Sequence, residues 1–130
     1  MRNDKENLIV DLTFSFSLRI IEYTEDLEAK KKYNLSNQLF RSATSIGANV
    51  REAQNAESKN DFIHKMKIAA KEADETEYWL SLCSKSKNYP DCDKLLKDIE
   101  SIIKILSKII SSSKPSFNSF SNRQIIKSSN

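Results

Sequence analysis

The stretch RSATSIGANVREAQ, residues 41–54, contains the only glycine of the chain, Gly47, among small residues flanked by two arginines. Such a stretch is compatible with a loop, a catalytic motif, a nucleic-acid contact or a close helix–helix approach. Apolar residues recur here at intervals of three and four, at Leu35, Leu39, Ala43, Ile46, Val50 and Ala53. This period predicts a helix with one buried face. Because Gly47 costs about 1 kcal/mol relative to alanine inside a helix, we expect a neighbouring helix to pack closely against it.

The segment that precedes this stretch predicts a helix from about residue 5 to residue 31 with two apolar faces. One face carries Leu12, Phe16, Ile20, Tyr23 and Leu27, and the other carries Val10, Phe14, Leu18 and Ile21. A helix with two apolar faces must bury both. We therefore expect the first face to pack in the core and the second to contact another copy of the chain.

Serine residues mark the predicted starts of the next two helices. Ser36 is expected to cap the second helix, which then continues to about Asn55, and Ser58 the third, with Asp61 in its first turn. The core stripe of the third helix is Phe62, Met66, Ala69, Ala73, Thr76 and Leu80. A second apolar patch on this helix, Ile68, Trp79 and Leu82, is predicted to join the second face of the first helix in the oligomer interface.

The fourth predicted helix follows a turn at residues 88–90. Its stripe is Leu95, Ile99, Ile102, Leu106 and Ile109. Short connections between long helices favour an all-α, antiparallel up-down-up-down four-helix bundle, which we assign to residues 1–112. Residues 113–130 are rich in serine and asparagine and predict a disordered, basic tail.

The distribution of charge gives only weak support for nucleic-acid binding. The formal net charge is +3, from 21 basic and 18 acidic side chains. Three basic residues and no acidic ones lie in the tail, so residues 1–112 carry no net charge. In the tail, Phe117 and Phe120 precede Arg123 and Lys127, a combination typical of single-strand contacts. A solvated tail without a role of its own is the interpretation that we favour.

No group of residues in the sequence predicts catalysis. There is one histidine, His64, whereas a zinc site needs three or four ligands. A single glycine excludes a glycine-rich phosphate loop. The two cysteines, Cys83 and Cys92, are expected to be reduced thiols near a core, which fits the cytoplasm. We expect a protein that is not an enzyme, uses no metal or cofactor, and has neither a signal peptide nor a membrane-spanning segment.

Five cations on the outer faces of the second and third helices are the predicted nucleic-acid-binding residues: Arg41, Arg51, Lys65, Lys67 and Lys71. Guanidinium groups suit phosphate geometry, and an oligomer would multiply weak contacts. Ordinary solvated charges are the alternative interpretation. A protein–protein adaptor with no nucleic-acid role is the second functional hypothesis.

The run from residue 41 to residue 80 resembles the four-helix-bundle protein family encoded in intervening sequences of bacterial 23S ribosomal RNA genes. The matching pieces include Arg41-Ser42, Thr44 to Asn49, Glu52-Ala53, Ser58-Lys59, Asp61 to Ile63, Lys71 to Ala73 and Tyr78 to Leu80. The resemblance covers roughly residues 8–111. Ala43 departs from the glycine that many relatives carry after the Arg-Ser pair, and the tail has no counterpart in the family pattern.

This resemblance implies a small cytoplasmic bacterial protein without known catalysis that forms ring-shaped homo-oligomers, often pentamers. A related branch, the accessory protein of diversity-generating retroelements, binds nucleic acid and partners a reverse transcriptase. The resemblance therefore implies self-association first. RNA, DNA, a reverse transcriptase or another protein are the further partners that it suggests.

Overall fold

Four helices make up the regular structure in a computed structural model that describes residues 4–113, with side chains from residue 8 onward. They are α1 (Asp4–Ala29), α2 (Tyr33–Ala53), α3 (Lys59–Lys85) and α4 (Asp93–Ser113), and the described residues contain no strand. The chain is all-helical there, as predicted. The predicted tail, apart from Ser113, lies outside the described residues.

The core lies between the four helices and follows the predicted stripes. The stripe of α4 is buried throughout, and that of α2 is buried from Leu39 to Ala53. Each helix packs against the next one along the chain, and α1 also packs against α4. Within the described residues, the backbones of α1 and α3 do not come close together, nor do those of α2 and α4. Each helix therefore keeps an outer face that no other helix of the same chain covers.

The connection between α1 and α2 differs from the prediction. Helix α1 ends at Ala29, and Lys31 adopts a positive φ of 64° that stops the helix. Helix α2 begins at Tyr33, so the prediction that Ser36 caps it is wrong. Ser36 is buried one turn inside α2, where its hydroxyl donates to the Thr24 carbonyl of α1 at 3.1 Å. The hydroxyl joins two helices because a carbonyl of α1 lies within reach.

The start of α3 is as predicted. Ser58 has an extended backbone, and its side-chain oxygen accepts a hydrogen bond from the Asp61 N–H at 3.0 Å. Asp61 lies in the first turn, where a negative charge stabilises the helix dipole. No described helix is both long enough and apolar enough to cross a membrane.

Gly47 lies where α2 passes close to the backbone of α1, as predicted. A Cβ built on Gly47 would be 3.4 Å from the Thr13 carbonyl oxygen and 3.5 Å from the Ser17 hydroxyl oxygen. These are ordinary van der Waals separations, so the space accepts a methyl group. The close approach therefore explains a small residue here but does not by itself require glycine.

We expect Gly47→Ala to raise the free energy of unfolding by up to about 1 kcal/mol, because alanine is the better helix former and its methyl group fits. Urea denaturation monitored by circular dichroism measures the change. The matched control is Ala48→Gly, on the exposed side of the same turn. It should lower the free energy of unfolding by a similar amount. A loss of stability in Gly47→Ala would show that the two helices need the full glycine approach.

Candidate functional site

Arg41, the first of the five predicted cations, lies between α2 and α3 and is paired with acidic residues. Its guanidinium binds Glu72, at 3.2 Å, and Glu75. The Trp79 indole N–H also donates to Glu75, at 3.0 Å. The hydrogen bonds from Arg41 and Trp79 hold the pKa of the Glu75 carboxyl below its ordinary value. Arg41 therefore acts first as a link between two helices.

Lys65 is paired as well. Its ammonium group lies 3.1 Å from a carboxylate oxygen of Glu52 on α2. Glu72 and Glu75 of α3 likewise bind Arg41 across the α2–α3 boundary. These partners lie 31 and 34 residues from Arg41 in sequence, so helical spacing could not reveal them.

The other three predicted cations, Arg51, Lys67 and Lys71, are exposed. Over residues 8–113, none of them has a carboxylate partner within ion-pairing distance. Arg51 lies on the α1 side of α2, beside Val10, whereas Arg41 lies on the α3 side. The two arginines therefore lie toward different neighbouring helices of α2.

Part of the second apolar face of α1, which is predicted to contact another copy of the chain, is exposed in the single chain. Phe14 is 59% exposed and Leu18 is 51% exposed, while Val10 and Ile21 are half-buried. Beside Phe14, α1 and α2 enclose a groove of about 280 Å³, which we call the outer groove. It is lined by Val10, Thr13, Phe14, Ser17, Thr44, Gly47, Ala48 and Arg51. This apolar groove with one cation at its rim is a surface suited to another protein chain.

Two large exposed side chains near these surfaces were missed by the sequence analysis. Phe40 of α2 is exposed beside Ile21, which extends the apolar surface of α1 along α2. Tyr78 of α3 is 59% exposed. Its position seven residues after Lys71 places both on one line of the helix, and this spacing was the signal available in the sequence.

The predicted interface patch on α3 is only partly accessible. Leu82 is exposed, whereas Ile68 and Trp79 are half-buried. Trp79 packs against the core and its indole binds Glu75. The Trp79 ring also contacts Tyr78, with ring centroids 5.2 Å apart and planes tilted by 60°. The side of α3 that an additional partner can reach is therefore centred on Tyr78 and Leu82.

The described residues offer little for nucleophilic or metal chemistry. Both cysteines are buried and unbridged, and burial raises the pKa of the Cys83 thiol to about 11. A thiol with such a pKa stays protonated and unreactive near neutral pH. Among the side chains described, those of residues 8–113, no group of three or more potential ligands could hold a metal ion. His64 is exposed.

Comparison with known proteins identifies a family and a related crystal structure. A family model described as 23S rRNA-intervening sequence protein matches residues 5–108. The chain is also similar to a crystal structure from Bacteroides thetaiotaomicron VPI-5482, described as a protein with unknown function from the S23 ribosomal protein family. The two share 41% sequence identity with a TM-score of 0.78, over 82% of this chain and 98% of the other. No curated protein matches the chain. The similarity therefore extends well beyond residues 41–80.

Proposed function

The chain belongs to the 23S rRNA-intervening sequence protein family, and from this premise we propose that it is a non-enzymatic, homo-oligomeric helical bundle that binds RNA or DNA phosphates. The observation that carries the phosphate contact is the exposure of Arg51, Lys67 and Lys71 without a carboxylate partner in residues 8–113. Arg41 and Lys65 support those surfaces through their ion pairs. The resemblance adds a role as accessory to a nucleic-acid enzyme such as a reverse transcriptase.

The proposal takes the four helices as an antiparallel up-down-up-down bundle. In the α1–α2 pair, Thr24 contacts Ser36 whereas Thr13 lies beside Gly47. Between α2 and α3, Arg41 binds Glu75 whereas Glu52 binds Lys65. Residue numbers rise in one helix as they fall in the next, which supports opposite helix directions. Such an arrangement exposes the outer face of each helix along its whole length.

Self-association through the second apolar face of α1 is the other part of the proposal. Phe14 and Leu18 are large apolar side chains that are more than half exposed on this face of α1. The outer groove extends this apolar surface onto α2. Burying such a contiguous apolar patch is the main favourable term in most protein association. The ring of five subunits that the resemblance implies would also repeat the cations of α3 around the assembly.

Filter binding of labelled RNA at rising salt tests the phosphate contact. With about three phosphates neutralised per chain, the logarithm of the association constant should fall with the logarithm of salt concentration with a slope of about −2 per chain. Lys67→Ala combined with Lys71→Ala should weaken binding and make this slope shallower. The matched control is Lys104→Ala with Lys108→Ala, an exposed lysine pair of the same spacing on α4. No retention of RNA at low salt would contradict the proposal.

A protein–protein adaptor is the second candidate function, and the outer groove is the observation that favours it. The groove is mostly apolar and lies beside the exposed Phe14 ring. An apolar contact of this kind resists salt because it buries little charge. A complex that survives both nuclease treatment and high salt would favour the adaptor over a nucleic-acid-binding protein.

A further inference from the structure

One line along the outer face of α3 carries an imidazole, two lysines and an aromatic ring. His64, Lys71, Tyr78 and Lys85 follow each other at intervals of seven residues, and all four are exposed. Seven residues are two helical turns, so neighbouring members of this line are about 10 Å apart. We call it the α3 line. In the part of the chain with described side chains, neither Lys71 nor Lys85 has a carboxylate within ion-pairing distance.

Tyr78, at the centre of the line, is supported from behind by a chain of contacts. The Tyr78 ring packs against the Trp79 ring. The indole N–H of Trp79 donates a hydrogen bond to Glu75, and Glu75 forms an ion pair with Arg41 of α2. An exposed aromatic ring that is already supported loses less conformational entropy when a ligand stacks on it. The ion pair of Arg41 thus has a consequence at the surface, since it steadies the indole against which Tyr78 packs.

We propose that the α3 line binds single-stranded nucleic acid, with one base stacked on Tyr78 and backbone phosphates beside Lys71 and Lys85. Aromatic rings flanked by cations are the recurring means of holding single strands, because every base has a face that can stack. A duplex hides its base faces inside the stack, so it can use only the lysines. This inference rests on the proposed phosphate binding. It adds that the nucleic acid is single-stranded and that Tyr78, which is not one of the five predicted binding residues, contacts it.

The charges around the line are consistent with a polyanionic ligand. Lys67 lies close to the line and is exposed, while Asp74 is the acidic residue nearest to it by helical position. Glu75 is also near, but it shares the single positive charge of Arg41 with Glu72, so these three residues keep one net negative charge. The three lysines still outnumber the two remaining negative charges, so the face attracts phosphates and salt should weaken the contact.

Fluorescence anisotropy with three labelled probes tests the inference: an oligouridylate of about 12 nucleotides, an oligothymidylate of equal length, and an RNA duplex. Both single strands should bind, because the contacts use base faces and phosphates and not the 2′-hydroxyl. Tyr78→Leu should weaken single-strand binding roughly 5- to 150-fold and leave duplex binding unchanged. Tyr78→Phe should retain single-strand binding. Tyr33→Leu, at an equally exposed tyrosine away from the line, is the matched control.

The chain has a single tryptophan, which provides a second measurement. Because Trp79 contacts Tyr78, a base stacked on Tyr78 should change the fluorescence of Trp79 on titration with oligouridylate, and Tyr78→Leu should abolish this change. Equal binding of single strands by Tyr78→Leu and the unmodified protein, or a duplex bound as tightly as the single strands, would overturn the stacking and leave the proposed phosphate contact standing. Binding of none of the probes at low salt would overturn both.

Discussion

Phe16→Ala is expected to lower the free energy of unfolding by about 3–5 kcal/mol. The Phe16 side chain is fully buried in the core between the helices. Replacing it removes a large apolar group from the interior and leaves a cavity that the surrounding helices fill only in part. Urea denaturation of the variant should therefore show a large shift of the midpoint with an unchanged denaturant slope.

Phe14→Ala provides the control, two residues earlier on the same helix. The Phe14 ring is exposed, so its removal should change the free energy of unfolding by no more than about 0.5 kcal/mol. Both variants are best compared in a Leu18→Asp background, because self-association would otherwise stabilise the folded chain in proportion to its concentration. Equal losses for Phe14 and Phe16 would contradict the assignment of one apolar face of α1 to the core and the other to the surface.

Phe14→Asp combined with Leu18→Asp is expected to convert the assembly to single chains of 14.9 kDa. Each substitution would place a carboxylate in a surface that self-association must dehydrate, and burying an unpaired charge is costly. Because both side chains are exposed in the single chain, its helices should remain folded. Light scattering measures the mass, and circular dichroism confirms that the helices are retained.

The matched control adds the same two charges elsewhere. Ser101→Asp with Ser107→Asp places them on exposed positions of α4, where we expect the mass of the assembly to be unchanged. A monomer mass for the unmodified protein would refute self-association through α1. An aspartate variant of α1 that keeps the full mass would refute this choice of surface.

The helices and the core were predictable because their signal is local. The stripes of α2 and α4 and the burial of Phe16 follow from a period of three to four residues. Ser58 was recognisable as a cap because its partner, Asp61, lies three residues away. The prediction was wrong where the partner was distant in sequence. The pattern predicts that Ser36 caps α2, but its hydroxyl donates to the Thr24 carbonyl of α1.

The sequence by itself therefore determined which segments are helical and which face of each helix is buried, since both depend on spacing within one segment. Only the tertiary structure decided which cations are available to a ligand. Arg41 and Arg51 look alike in the stretch 41–54, but packing places Arg41 against two carboxylates of α3 and leaves Arg51 at the rim of the outer groove. An ion pair between helices depends on their mutual position, which no local pattern encodes.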